Sequence, residues 1–351
     1  MSYKRFDPQD VVISAESVTS TIWSNSVTEQ ATFHTSSTQV AGASGEYYYN
    51  IYQTASNDST AAVQFSVAYG DELGSGSAYF NSAVTGSTAS KTVFGQYRSL
   101  VLGNEEESFV FGDVTGSYFY VLSIDRARYK EKLLPGTLAL TLKNQAGGDG
   151  AGGAQDVHLT DNSNQVSTIT YTDAGRVYEL ISGSLGTLAS SGNYHNSSGY
   201  TKDGVSGSYG KFLPDVGLII LNGHALDLVS GSGGISLGTA RGDNSAGSNP
   251  GKVFNAISAS KSFKLNAEET VSSNLVFVRA RNSEFNYSAN PSNTSGSGEL
   301  RHDVMINSPQ SYITTVGMYN DNNDLLATAK LSKPLLKDFT KEALVRIKLD
   351  F

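Results

Sequence analysis

Groups able to act as acids, bases, nucleophiles or metal ligands are present in this chain, but their spacing assembles none of the familiar constellations. The five histidines, His34, His158, His195, His224 and His302, stand apart, with no HExxH and no pair at helical spacing. There is no cysteine, so thiolate nucleophiles, thiolate metal sites and disulfides are excluded. No GxSxG elbow occurs, and His302 and Asp303, as neighbours in a strand, would point to opposite faces. Glu284, Glu299 and Asp303 could form paired carboxylates for glycoside hydrolysis only if folding drew them together. The acidic run at Glu105, Glu106 and Glu107 lacks the further oxygen ligands a cation needs and reads as a solvated loop. No catalytic residue, metal site or cofactor is therefore expected.

Two segments could face a polyanion. Arg126, Arg128, Lys130 and Lys132 surround Tyr129, an interleaving that nucleic-acid binders use, yet Asp125 and Glu131 dilute it. The same cations suit an acidic protein neighbour, where arginine bonds carboxylates bidentately. The glycine-rich run 145–155 has no GK[ST] and no helix pattern behind it, so it reads as a connector or loop tip, not a phosphate cradle. Arg241, Gly242 and Asp243 spell RGD inside a Gly/Ser loop, a match too short to imply adhesion.

The elements that must position any site read as strands. Residues 46–53 and 62–69 form a hairpin pattern, 117–124 (SYFYVLSI) a central strand, 138–143 a further strand, and 215–221 (DVGLIIL) a strand buried on both faces. Residues 10–14 (DVVIS) give a short strand, and 96–102 fit a helix or a strand equally. The terminal stretch is the best specified. Residues 313–319 run to the polar turn NDNND, 325–331 run back, and 344–351 alternate strictly between charged and apolar side chains. Thirty-six glycines, nineteen tyrosines and 17% charged residues describe a loop-rich β protein. We expect a mainly β fold of two antiparallel domains, sandwich- or barrel-like, with long Gly/Ser-rich loops and few short helices. The expected division is an N-terminal β domain over 1–144, the connector or loop 145–155, and a C-terminal β domain over 156–351.

Net charge is −8, which disfavours binding to a phosphate backbone, so nucleic acid is not an expected partner. No run of eighteen apolar residues and no signal-peptide pattern occur, so neither membrane association nor export by a leader is expected.

The terminal segment YITTVGMYNDNNDLLATAKLSKPLLKDFTKEALVRIKLDF (312–351) resembles the C-terminal part of structural proteins in the contractile tails of T-even-like bacteriophages, particularly cyanobacterial phages. The run NLVFVRARNSEFNYSANP (274–291) and residues 298–300 are similar to a second hallmark of that family, and SIDRARYKEKLLPG (123–136) is a further short match. The resemblance covers the last quarter of the chain. It implies a virion component, tail- or baseplate-associated, made in the host cytoplasm, with other tail or baseplate proteins and further copies of itself as partners. It carries over no catalytic residue. The expected contact residues are Tyr312, Tyr319, Val345, Ile347, Leu349 and Phe351 in the terminal strands, with Arg126, Arg128 and the single tryptophan, Trp23. The alternatives are a receptor- or glycan-binding module using the Tyr/Asn/Ser-rich residues 192–210, and a head or neck structural protein.

Overall fold

A computed structural model of the chain describes residues 4–5, 8–36, 48–77, 88–145, 156–189, 200–202, 205–229, 233–242, 248–288 and 290–350. Its principal strands in chain order, apart from further pieces of two or three residues, are β1 (Val11–Thr21), β2 (His34–Thr35), β3 (Tyr48–Tyr52), β4 (Val63–Asp71), β5 (Tyr118–Ile124), β6 (Ala139–Leu142), β7 (Val157–Asp161) and β8 (Gly175–Ser184). They continue with β9 (Gly210–Leu213), β10 (Leu218–Asn222), β11 (Phe263–Lys264), β12 (Asn266–Ala280), β13 (Gln310–Tyr319), β14 (Leu325–Asp338) and β15 (Ala343–Asp350). The α-helices are α1 (Ala89–Leu102), α2 (Gly223–Asp227), α3 (Ser248–Ser260) and the short α4 (Val304–Asn307). The chain is mainly β and antiparallel, as expected.

The division into units is not the expected one. One compact unit comprises residues 18–269, and the other joins 1–17 to 270–351. The glycine-rich segment, whose residues 146–155 lie outside the described ones, is no domain boundary. It connects β6 to β7, which pair directly with Val157 opposite Leu142. A composition break does not by itself mark a domain boundary, because strands of one sheet can pair on either side of it.

In the larger unit the sheet runs β11-β6-β7-β8-β9-β10-β5-β4-β3-β2. Its two ends meet, because Gln30, just before β2, exchanges backbone hydrogen bonds of 2.9 and 3.1 Å with Phe263 in β11. The curled sheet therefore has an inside and an outside, and both are covered. Along β5, Tyr118, Tyr120, Leu122 and Ile124 enter the inner core, while Phe119 and Val121 enter the outer cluster. Leu221 and Ile219 of β10 likewise face inward, and Leu218 and Ile220 outward. Burial of both faces is why these strands read as continuous apolar runs.

Helix α3 fills the inside through Val253, Ala256 and Ile257, and α1 covers the outside through Phe94 and Val101. Residues 96–102, which fit either element by sequence, are the end of α1. Its start is set by Thr88, whose side chain accepts a bond from the Lys91 N–H, and its end by Gly103 in the left-handed conformation (φ 68°). Gly70 lets α1 approach β4, since a Cβ there would fall 2.9 Å from the Phe119 ring and 3.1 Å from the backbone nitrogen of Phe94.

Buried polar groups pin the connecting loops. The Asp71 carboxylate, fully buried, pairs with Arg241 (Nε–Oδ2 2.7 Å), whose guanidinium lies 4.3 Å above the Tyr118 ring. Burial, and then the Asp71 charge, push the Tyr69 phenol well above its ordinary value. The arginine of the RGD tripeptide is thus engaged inside the fold. On β8, Arg176 clasps Asp215 through Nη2 (2.6 Å), Nε and its backbone N–H (2.8 Å).

Phe65 is fully buried against Trp23, Phe33 and Phe263. Phe65→Ala should cost about 3–5 kcal/mol in denaturant unfolding; a loss under about 1 kcal/mol would show that the curl collapses around the gap. Burial raises the Asp215 carboxyl, but its bonds to Arg176 outweigh that and hold it below 3.8. Its contribution is therefore complete above pH 3.8 and disappears as pH falls through the lower folded value. Asp215→Asn should flatten that part of the acid limb in a stability–pH profile, and an unchanged limb would assign it to other carboxylates.

Candidate interaction surface

The smaller unit buries little of its apolar material. In the sheet β1-β12-β15, strands β12 and β15 pack one face against the β13–β14 hairpin. Strand β12 pairs with β15 from Ser273 opposite Asp350 to Ala280 opposite Ala343. The hairpin pairs from Gln310 opposite Asp338 to Tyr319 opposite Leu325, around the Asn320–Asp324 turn. Its core is Val276, Met318 and Ile347, flanked by Val278, Val316, Ala327, Ala329, Val345 and Leu349. Even the three core residues remain 5–8% exposed, whereas the larger unit has many at 0%. So small a core leaves little hydrophobic free energy to hold the unit together.

Apolar side chains are instead on its surface. Ile13 is 75% exposed, Leu326 67%, Tyr312 63%, Leu344 59% and Phe339 55%. Tyr312 lies opposite Leu336 and Tyr319 opposite Leu325, so the hairpin carries large apolar pairs at both of its ends. These exposed aromatic and aliphatic groups are the candidate interaction surface of the unit.

A polar latch holds the loop after β12. Lys337 is fully buried, and its ammonium donates to the carbonyls of Asn282 (3.1 Å) and Asp338 (2.8 Å) and to Asn286 Oδ1 (2.7 Å). Three acceptors match its three N–H donors. Ser311 also donates to the carbonyl of Phe285, a residue held at φ 53°. Glu284 accepts from the Arg281 N–H (2.8 Å) and from Lys4 (3.3 Å), the first of which chiefly holds its carboxyl below the ordinary value. On the outer face of the sheet Lys348 bridges Glu16 (3.2 Å) and Asp350 (3.3 Å), which keeps its ammonium above the ordinary value.

The expected contact residues divide. Tyr312 and Tyr319 are exposed on the hairpin. Strand alternation turns Val345, Ile347 and Leu349 onto the hairpin: Ile347 is buried in the small core, and Val345 and Leu349 are partly buried against it. The exposed apolar residue of β15 is Leu344, and Phe351 lies outside the described residues. Trp23 is 3% exposed and packs 4.9 Å from Phe263 in the inner core of the larger unit, so it is a core residue. Arg126 caps its own turn, donating to the carbonyls of Tyr129 and Lys130 over the Tyr129 ring, and Arg128 donates to Ser24 Oγ (2.7 Å). Lys130 pairs with Glu269 (2.8 Å) and Lys132 with Glu268 (3.7 Å). The basic run is therefore engaged within the fold. Of the stretch expected to meet glycans, residues 192–199 and 203–204 lie outside the described residues.

Sequence reading misses part of β1. The pattern suggests a strand over 10–14, yet it runs from Val11 to Thr21, and the signal is the continuing β-branched series VTST. Among the described residues no three His, Asp or Glu side chains gather to hold a metal, and no helix is long and apolar enough to cross a membrane. No family model, curated protein or solved structure matches the chain.

Lys337→Met keeps the stem and removes the donors: Asn286 Oδ1 loses its partner, while the Asn282 carbonyl keeps only the Asn286 Nδ2 bond (2.7 Å) and the Asp338 carbonyl only the long bond from the Lys341 N–H (3.4 Å). It should lower stability by about 1–3 kcal/mol and speed amide hydrogen exchange across residues 281–288. Unaltered exchange there would mean that the loop is held by its turns alone.

Proposed function

We propose that this chain is a structural component of a contractile phage tail, most specifically of the baseplate, seated by the unit that joins residues 1–17 to 270–351. The observation that carries the reading is the mismatch in that unit between a core of three nearly buried residues and a surface bearing Ile13, Leu326, Tyr312, Leu344 and Phe339. A unit of this kind completes its apolar burial on neighbours. The resemblance of 274–291 and 312–351 to tail structural proteins supports the same reading, because both segments lie in this unit.

Work of this kind needs no reacting group. It consists in holding neighbouring subunits or fibres in fixed geometry, through faces in which large apolar side chains anchor the contact and polar groups rim it. The larger unit, with its sheet ends joined and both faces covered, provides a rigid body to be positioned. The partners are other tail proteins, and the place of action is the virion.

Mass spectrometry of purified particles tests the proposal. The chain should be enriched in isolated tails over tail-free heads, and absence from all particles would overturn the reading. Tyr312→Asp and Leu326→Asp alter exposed positions, so the variants should fold normally yet be incorporated at least ten-fold less. Incorporation at the normal level would remove the hairpin from the contact.

A further inference from the structure

The edges of the smaller unit are protected unequally. Strand β14 carries Lys330, Lys333 and Pro334, and β15 carries Arg346 and Lys348. Lysine and proline are the usual means by which a sheet stops its edge from recruiting another strand. Strand β1, VVISAESVTST, has no lysine, arginine or proline. Its one charge, Glu16, already bonds Lys348 of the same chain.

Strand β1 is also the end of its sheet, so among the described residues one row of its backbone N–H and C=O groups has no strand beside it. Both of its faces are bare. Val12 is 46% exposed, Ile13 75% and Val18 47%, and neighbours such as Val12 and Ile13 point to opposite sides. A long edge without lysine, arginine or proline, and with exposed valine and isoleucine on both faces, is a template for strand addition.

We propose that β1 pairs antiparallel with β1 of a second copy of this chain, making one continuous sheet across a two-fold axis. The need for a partner rests on the assembly reading above; the choice of partner rests on β1 itself. Pairing centred on Ala15 sets Val12 opposite Val18, Ile13 opposite Ser17 and Glu16 opposite Ser14, so the strand is complementary to its own copy and no like charges meet. Two chains of net charge −8 repel, and β1, whose only carboxylate is paired with Lys348, is a segment of low charge along which they can approach.

The absence of cysteine makes the test direct. Residues opposite each other in an antiparallel pair have Cα atoms about 4.5–5.5 Å apart, within the roughly 4.4–6.8 Å that a disulfide spans. Full-length Ala15→Cys should therefore form a disulfide-linked dimer under mild oxidation, at least ten-fold faster than Tyr171→Cys, an exposed control in the other unit. Light scattering should report a dimer for the unmodified protein at micromolar concentration, and a monomer with an unchanged circular dichroism spectrum for Val12→Lys and Ile13→Lys. The proposal fails if the unmodified chain is monomeric, or if the Ala15→Cys variant links no faster than the control. A chain that is monomeric in solution but enriched in tails would remove β1 pairing and leave the assembly reading standing.

Discussion

The backbone exchange between Gln30 and Phe263 is the constraint on which the larger unit depends. Two ordinary hydrogen bonds are worth little by themselves, but these tie the segment leading into β2, at one end of the sheet, to β11 at the other. With its ends joined, the sheet must have an interior, and Trp23, Phe65 and Phe263 fill it where the ends meet. Every strand between then has two faces to bury, so alternate residues serve two clusters. Helix α3 and helix α1 follow as the covers of the inside and the outside. The loops follow in turn, since a closed sheet leaves its connections to be fixed by side chains, as Asp71 fixes the segment ending at Arg241.

The same physics gives the smaller unit a different character. Three strands and a hairpin can bury one face each, and the faces turned outward retain tyrosine, leucine and isoleucine. What rigidity it has comes from polar devices: a lysine bonded to three oxygens, a serine on the carbonyl of Phe285, and the bridge from Lys348 to Glu16 and Asp350. Such devices fix geometry more than they add stability, because exposed ion pairs contribute little. Well-defined shape with a thin core suits a unit whose remaining burial lies on a neighbour.

Much of this is legible in the sequence, for reasons that also explain the rest. Period-two alternation exposes β15, and dense apolar runs expose β5 and β10, because burial acts on each residue locally. Helix α3 escapes notice: Pro250, Val253 and Ile257 follow helical spacing, but the Gly/Ser-rich stretch before them masks the start. The domain boundary is misplaced by composition because β6 and β7 pair across the glycine-rich segment, a long-range fact that composition does not encode. For the surface, alternation tells which residues of β15 share a face but not which face the hairpin covers. Val345, Ile347 and Leu349 therefore look like contact residues when they pack on the hairpin, Ile347 buried and the other two partly so. Trp23 looks like one because its chain neighbours are polar, although Phe263, far along the chain, buries it.

The unequal edges tie these observations to assembly. An exposed apolar face can be tolerated on a solitary protein if its strands cannot recruit others, and β14 and β15 are protected in that sense. A sheet protected at one edge and open at the other permits growth in one direction only, and strand pairing about a two-fold then ends after a single addition. That geometry makes a discrete pair instead of a filament. It also couples stability to company: a unit with so small a core gains free energy from whatever binds its folded form, by an amount set by partner concentration. For a component held among neighbours at high local concentration, the thin core is then no defect, since the contacts that position the unit are also the contacts that complete its fold.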